Sequence, residues 1–169
     1  VAVTLVHAIL KGRSMDDVVR DATMMGVVWI VPVLSEHVDV KPAVAMRDGM
    51  RERWERVALA SVKQCRRATV PAVEAPRSFS DAIGALDAPV KLLFAEPSLG
   101  LEVRPLREAF AGALPDRAAV LIGPEGGWSS SEAAAAVAAG CLPVSLGTLT
   151  IRAESMAVAA LSAILAVSS

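Results

Sequence analysis

Tyrosine is missing altogether and aromatic residues make up only 4% of the 169 positions, while 54% are hydrophobic. The core must therefore be built mainly from Ala, Val, Leu and Ile, which suits an α/β protein better than an aromatic-rich β-barrel. Cysteine is nearly absent too. Cys65 and Cys141 lie far apart, and neither belongs to a CxxC or a Cys/His cluster, so both are expected as reduced core thiols, with no disulfide and no metal site. No apolar run reaches the roughly 18 residues of a membrane span, and the N-terminus lacks the charged-then-apolar pattern of a signal peptide. A cytoplasmic protein that does not engage a membrane is expected. Seventeen basic against eighteen acidic residues leave a net charge of −1, which by itself points neither toward nor away from nucleic acid.

What is present alternates. Apolar runs near 3–9, 28–34, 90–95, 118–122 and 142–146 read as strands, with a short extended piece at 70–73 as a possible edge. Helical patterns fall near 14–25, 43–67, 79–86, 104–112, 130–139 and 153–167. Such alternation predicts a mainly parallel sheet with helices on both faces. Ser14 with Asp17, and Ser129 with Glu132, have the spacing of helix-capping pairs. One domain over 1–169 is expected, and the chain opens inside its first strand, as the second domain of a longer protein would.

The stretch "LIGPEGGWSSSE" at 121–132 sets three glycines between a strand end and a capped helix. It lacks the Lys-Ser/Thr of a P-loop and the spacing of G-x-G-x-x-G. A ligand held by main-chain groups fits such a loop, and so does a plain tight turn. A second stretch, "LGTLTIRAESMAVAAL" at 146–161, repeats the plan with Arg152 and Glu154 at the loop–helix junction. Locally, an ion pair for Arg152 and a favourable helix-start position for Glu154 are equally good readings.

The pair "IGPEGG" and "LGTLTIRAES", about twenty residues apart, resembles the signature of the RsmE-type 16S rRNA uridine-N3 methyltransferases of the SPOUT superfamily. "ILKGRSMDDVVRDAT" at 9–23, "GVVWIVPVLSE" at 26–36 and the series Gln64, Cys65, Arg67, Val70 and Pro71 agree with it. The resemblance implies an α/β fold with a C-terminal deep trefoil knot over roughly 90–165. It implies S-adenosylmethionine bound by three loops: Phe94, Ala95 and Glu96; Ile122, Gly123, Pro124, Glu125, Gly126 and Gly127; and Leu146, Gly147, Thr148, Leu149 and Ile151. It also implies a homodimer acting on 16S ribosomal RNA or the small ribosomal subunit, and an N-terminal β-barrel RNA-binding domain that this chain lacks. Three positions depart from the family pattern. Leu149 stands for a usual arginine, Met24 and Met25 for Glu-Leu, and Lys63 for a glutamate.

Uracil N3 becomes a nucleophile once its proton leaves and the charge spreading onto O2 and O4 is stabilised. Arg152 is the candidate for that stabilisation, and Glu154, with Glu125 behind it, for accepting the proton. For RNA, residues 41–67 carry eight Lys/Arg against three Asp/Glu. A helical wheel puts Trp54, Val57, Ala58, Ser61 and Cys65 on one face and Arg56, Lys63 and Arg67 on the other, either as phosphate contacts or as an ordinary solvated face. His7 reads as a satisfied core or edge residue and His37 as a possible substrate contact. Trp128 could pack over the glycine loop or fill a dimer interface. Two further readings compete: a ribose 2′-O-methyltransferase of the same superfamily, and an inactive RNA-binding or dimerisation module. Against the first, the last loop reads "SLGTLTIRAES" rather than an "SLN-V-S" type of segment.

Overall fold

The computed structural model describes residues 1–45, 47, 49–96, 99–109 and 115–167. Its elements follow the chain as β1 (Ala2–Ala8), α1 (Ser14–Met24), β2 (Trp29–Leu34), α2 (Pro42–Ala45), α3 (Met50–Cys65), β3 (Ala72–Val73), β4 (Arg77–Ser78) and α4 (Phe79–Gly84). Then come β5 (Val90–Phe94), β6 (Arg104–Pro105), α5 (Leu106–Ala109), β7 (Arg117–Ile122), α6 (Ser130–Ala138), β8 (Leu142–Ser145) and α7 (Ala153–Val167).

The strands form one sheet in the order β3-β2-β1-β7-β5-β8-β6, with β4 also paired to β2. Every pairing is parallel. The reason lies in the apolar runs, whose alternate residues are buried on opposite faces. Leu5, Ile30, Leu92, Val120 and Ile122 face a core closed by α1, α3 and α7. Val6, Val33, Leu93 and Leu121 face a second core closed by α4 and α6. On α7, Ala153, Ala157, Ala160, Leu161 and Ile164 share the buried stripe, and its alanines let the helix lie close to the sheet and α1.

Three expectations are corrected. The helical pattern at 43–67 is two helices, because Gly49 at φ +91° is left-handed and caps α3 instead of continuing α2. Ser14 caps nothing: Arg13 occupies the cap position after a turn at Gly12 (φ +63°), and Asp17 pairs with Arg20 at 2.7 Å. The pattern at 104–112 begins as a two-residue strand, β6, and is helical only over Leu106–Ala109, while 110–112 lie outside the described residues. By contrast, the Ser129–Glu132 capping box forms as expected, with Glu132 N–H to Ser129 Oγ at 3.1 Å and Ser129 N–H to Glu132 Oε2 at 3.0 Å.

Candidate functional site

The C-terminal ends of β5, β7 and β8 surround a cavity of about 400 Å³, within the usual range for small-molecule sites. Every loop position expected from the sequence lines it: Phe94, Ala95 and Glu96; Ile122 to Gly127; Leu146 to Leu149; and Ile151. Arg152 lines it too, whereas Glu154, half-buried in the first turn of α7, does not. Leu99, Trp128, Val144, Ser145, Thr150, Ala153 and Met156 complete the wall. Ala153 and Met156 share the helical spacing of α7, and Leu99 sits in a stretch with no periodicity.

Each glycine of the loop after β7 has its own reason. A Cβ on Gly123 would lie 3.2 Å from the Trp128 ring, and one on Gly126 would lie 3.0 Å from the His37 Cβ. Gly127 sits at φ +70°, a conformation costly to other residues, and closes a turn by donating its N–H to the Pro124 carbonyl at 2.9 Å. Among the described residues, no protein acceptor meets the N–H groups of Glu125 or Gly126. The bareness of the loop thus comes from two close neighbours and one turn, and it leaves main-chain donors available at the cavity wall.

Trp128 takes the first of its two expected places. It is buried, packs on Phe79 with ring centroids 4.7 Å apart, and donates Nε1–H to the Phe94 carbonyl at 3.1 Å. His37 approaches the same loop from outside the cavity, with Nδ1 3.2 Å from both the Gly126 and Gly127 carbonyl oxygens.

Below the third loop, His7 is fully buried at the end of β1. Its Nδ1 lies 2.7 Å from the Ala8 carbonyl oxygen and its Nε2 3.2 Å from that of Ala153. A neutral ring has one N–H and so donates to only one of the two. Burial lowers its pKa below the usual 6.5, opposed by those two carbonyls and by the charges of Glu125 and Glu154. Cys141 is buried and free, and its thiol is pushed up to about 11 by desolvation, so it stays protonated and inert; Cys65 is half-buried and also free.

Arg152 is exposed where α7 begins, and its carbonyl accepts the first helical bond, from Met156 N–H at 2.8 Å. Among the described residues its guanidinium meets no carboxylate. A cation at a helix N-terminus opposes the helix dipole, so nothing in the local fold accounts for it. Of the expected RNA contacts, Arg56 and Lys63 are exposed on α3, away from the cavity lining. Arg67 lies beyond the end of α3 and donates to the carbonyls of Thr23 (2.6 Å), Val27 (3.0 Å) and Gly26 (3.3 Å), capping the C-terminus of α1.

A family model described as an RNA methyltransferase domain matches residues 1–165. The small-subunit ribosomal RNA methyltransferase E of Synechocystis is 32% identical over 96% of this chain and 52% of its own length. A protein of Legionella pneumophila, solved with S-adenosylmethionine bound as cofactor, superposes with a TM-score of 0.90 at 28% identity, over 99% of this chain and 66% of that one. The methyltransferase E of Neisseria gonorrhoeae bound to S-adenosylmethionine gives 0.85 at 27% identity, over 99% and 66%. The chain therefore spans between about half and two thirds of the length of these relatives.

Proposed function

The chain belongs to the RNA methyltransferase domain family, and we propose that it transfers a methyl group from S-adenosylmethionine to N3 of a uridine in 16S ribosomal RNA. The observation that carries this reading is the cavity itself: three loops of one parallel sheet converge on about 400 Å³, with Arg152, which meets no carboxylate among the described residues, at the edge. The relatives solved with S-adenosylmethionine support it.

The lining suits the cofactor. Val144, Leu146, Ile151 and Met156 offer apolar wall for an adenine, while the N–H groups of Glu125 and Gly126 suit polar atoms of the ligand. The exposed carboxylates of Glu96 and Glu125 suit an ammonium or a sulfonium. When bound, S-adenosylmethionine supplies an electrophilic methyl group on sulfur. The chain's own contribution is to make the uridine nitrogen reactive. Arg152 stabilises the negative charge on the uracil carbonyls as the N3 proton leaves, an effect of about 2.7–4 kcal/mol for a comparable donor. Of the two candidate carboxylates, Glu154 and Glu125, the one that lines the cavity is Glu125, which favours it as the proton acceptor.

The deep trefoil knot belongs to this proposal. β8 lies between β5 and β6, which are joined by the segment around 95–103, and α7 then returns to pack on α1 and β7. That path supports a knotted C-terminus. A homodimer is proposed as well, supported by exposed Leu165 and Val167 near the end of the largely apolar α7. Arg56 and Lys63 are proposed as RNA phosphate contacts, with Arg67 kept for the fold. A ribosomal RNA substrate makes the reaction a cytoplasmic one.

Incubation with isotopically labelled S-adenosylmethionine and 16S RNA or small ribosomal subunits, then nucleoside digestion and mass spectrometry, tests the reading. Label in 3-methyluridine is expected. Label in a 2′-O-methyl nucleoside, or none at all, overturns it.

A further inference from the structure

A loop with glycines at 123, 126 and 127 has a permissive backbone, and among the described residues the one main-chain bond inside it is Gly127 N–H to the Pro124 carbonyl at 2.9 Å. We infer that His37 is the positioning residue for this loop, holding the carbonyls of Gly126 and Gly127 from behind so that the cavity face of the loop is formed before any ligand arrives. The inference rests on the reading of the cavity as a cofactor site.

Both atoms that face Nδ1 at 3.2 Å are carbonyl oxygens, so Nδ1 carries the proton and donates to both. This fixes the Gly126–Gly127 and Gly127–Trp128 peptides. The contact is not a by-product of strand pairing, because β1 separates β2 from β7 in the sheet. The segment after β2 is instead tied across that gap by its own set of bonds. Glu36 N–H donates to Glu132 Oε1 at 2.9 Å, and Ser131 Oγ–H donates to Glu36 Oε1 at 2.7 Å. Glu132, buried despite its charge, uses its other oxygen on Ser129 N–H at 3.0 Å. Residues 36 and 37 therefore grip both the glycine turn and the start of α6. The room for that grip comes from Gly126, whose Cβ would meet the His37 Cβ at 3.0 Å. His37 itself does not line the cavity, so its effect on a ligand passes through the loop.

Two variants separate donation from packing. His37→Ala removes the donor, and His37→Asn keeps a side-chain N–H near the place of Nδ1. Titration calorimetry of each purified chain with S-adenosylmethionine is expected to give a dissociation constant raised about three- to ten-fold for His37→Ala, with most of the loss restored in His37→Asn and the melting temperature of all three alike. Amide hydrogen exchange on the ligand-free chains is expected to show faster exchange at Gly127, whose N–H closes the turn onto the Pro124 carbonyl, in His37→Ala and recovery in His37→Asn. Wild-type exchange rates in His37→Ala overturn the inference, as does equal weakening in both variants. If the wild-type chain does not bind S-adenosylmethionine, the cofactor reading fails, and the exchange comparison alone decides whether His37 holds the loop.

Discussion

The indole N–H of Trp128 donates to the main-chain carbonyl of Phe94 at 3.1 Å, joining the loop after β7 to the end of β5. Because the same ring would lie only 3.2 Å from a Cβ on Gly123, one side chain bears on two of the three loops that line the cavity. Trp128→Phe keeps most of the packing and leaves the Phe94 carbonyl without its donor. A loss of about 1–3 kcal/mol in denaturant unfolding is expected, together with weaker S-adenosylmethionine binding. Gly123→Ala, which crowds the ring, should cost a comparable amount, about 1–3 kcal/mol.

His7 makes stability depend on pH. Its folded pKa lies below the usual 6.5, so as pH falls through that value the unfolded chain takes up a proton that the folded chain refuses. Stability should be independent of this group above about pH 6.5 and decline below it, by at most about 1.4 kcal/mol per pH unit. Urea unfolding between pH 8 and pH 5 checks this, with His7→Gln expected to flatten the slope.

Arg152→Ala should lower kcat about 10²–10³-fold while leaving the affinity for S-adenosylmethionine and the melting temperature nearly unchanged. Glu125→Gln should lower kcat more than Glu154→Gln. Steady-state kinetics on 16S RNA distinguish the three variants.

The basic side chains divide into two groups with opposite expected phenotypes. Arg67→Ala removes three carbonyl partners at the end of α1 and should cost about 1.5–3 kcal/mol of stability. Lys63→Ala should leave stability within about 0.5 kcal/mol and reduce the salt dependence of RNA binding by about one phosphate contact. Leu149, 84% exposed at the cavity edge, gives the converse case. Leu149→Arg should be neutral for stability and strengthen RNA binding at low salt.

The parallel sheet was legible because its strands are apolar on both faces, as at Leu5 and Val6 or Leu92 and Leu93, which only a doubly covered sheet accommodates. Two of the three cavity loops were legible for a related reason, since glycines at strand ends and the Ser129–Glu132 box mark where loops turn into helices, while the loop at 94–96 followed only from the family resemblance. The two-residue strands β4 and β6 could not be read, since such short segments have no period and form only because β2 and β8 offer them an edge. The role of His37 was equally hidden. It depends on a segment that crosses over β1, a contact between positions 89 and 90 residues apart, for which local pattern carries no signal. Arg67 misled because a helical wheel extends a helix past its end, whereas the left-handed Arg66 (φ +58°) had already turned the chain back toward α1.

The most direct test is a crystal structure of this chain grown with S-adenosylmethionine. The account predicts cofactor density in the cavity, in contact with the main chain at 94–96, 123–127 and 146–151, with its methyl group facing the Arg152 side. Density elsewhere on the fold, or an empty cavity in crystals whose protein is folded as described and saturated with the cofactor, would contradict it.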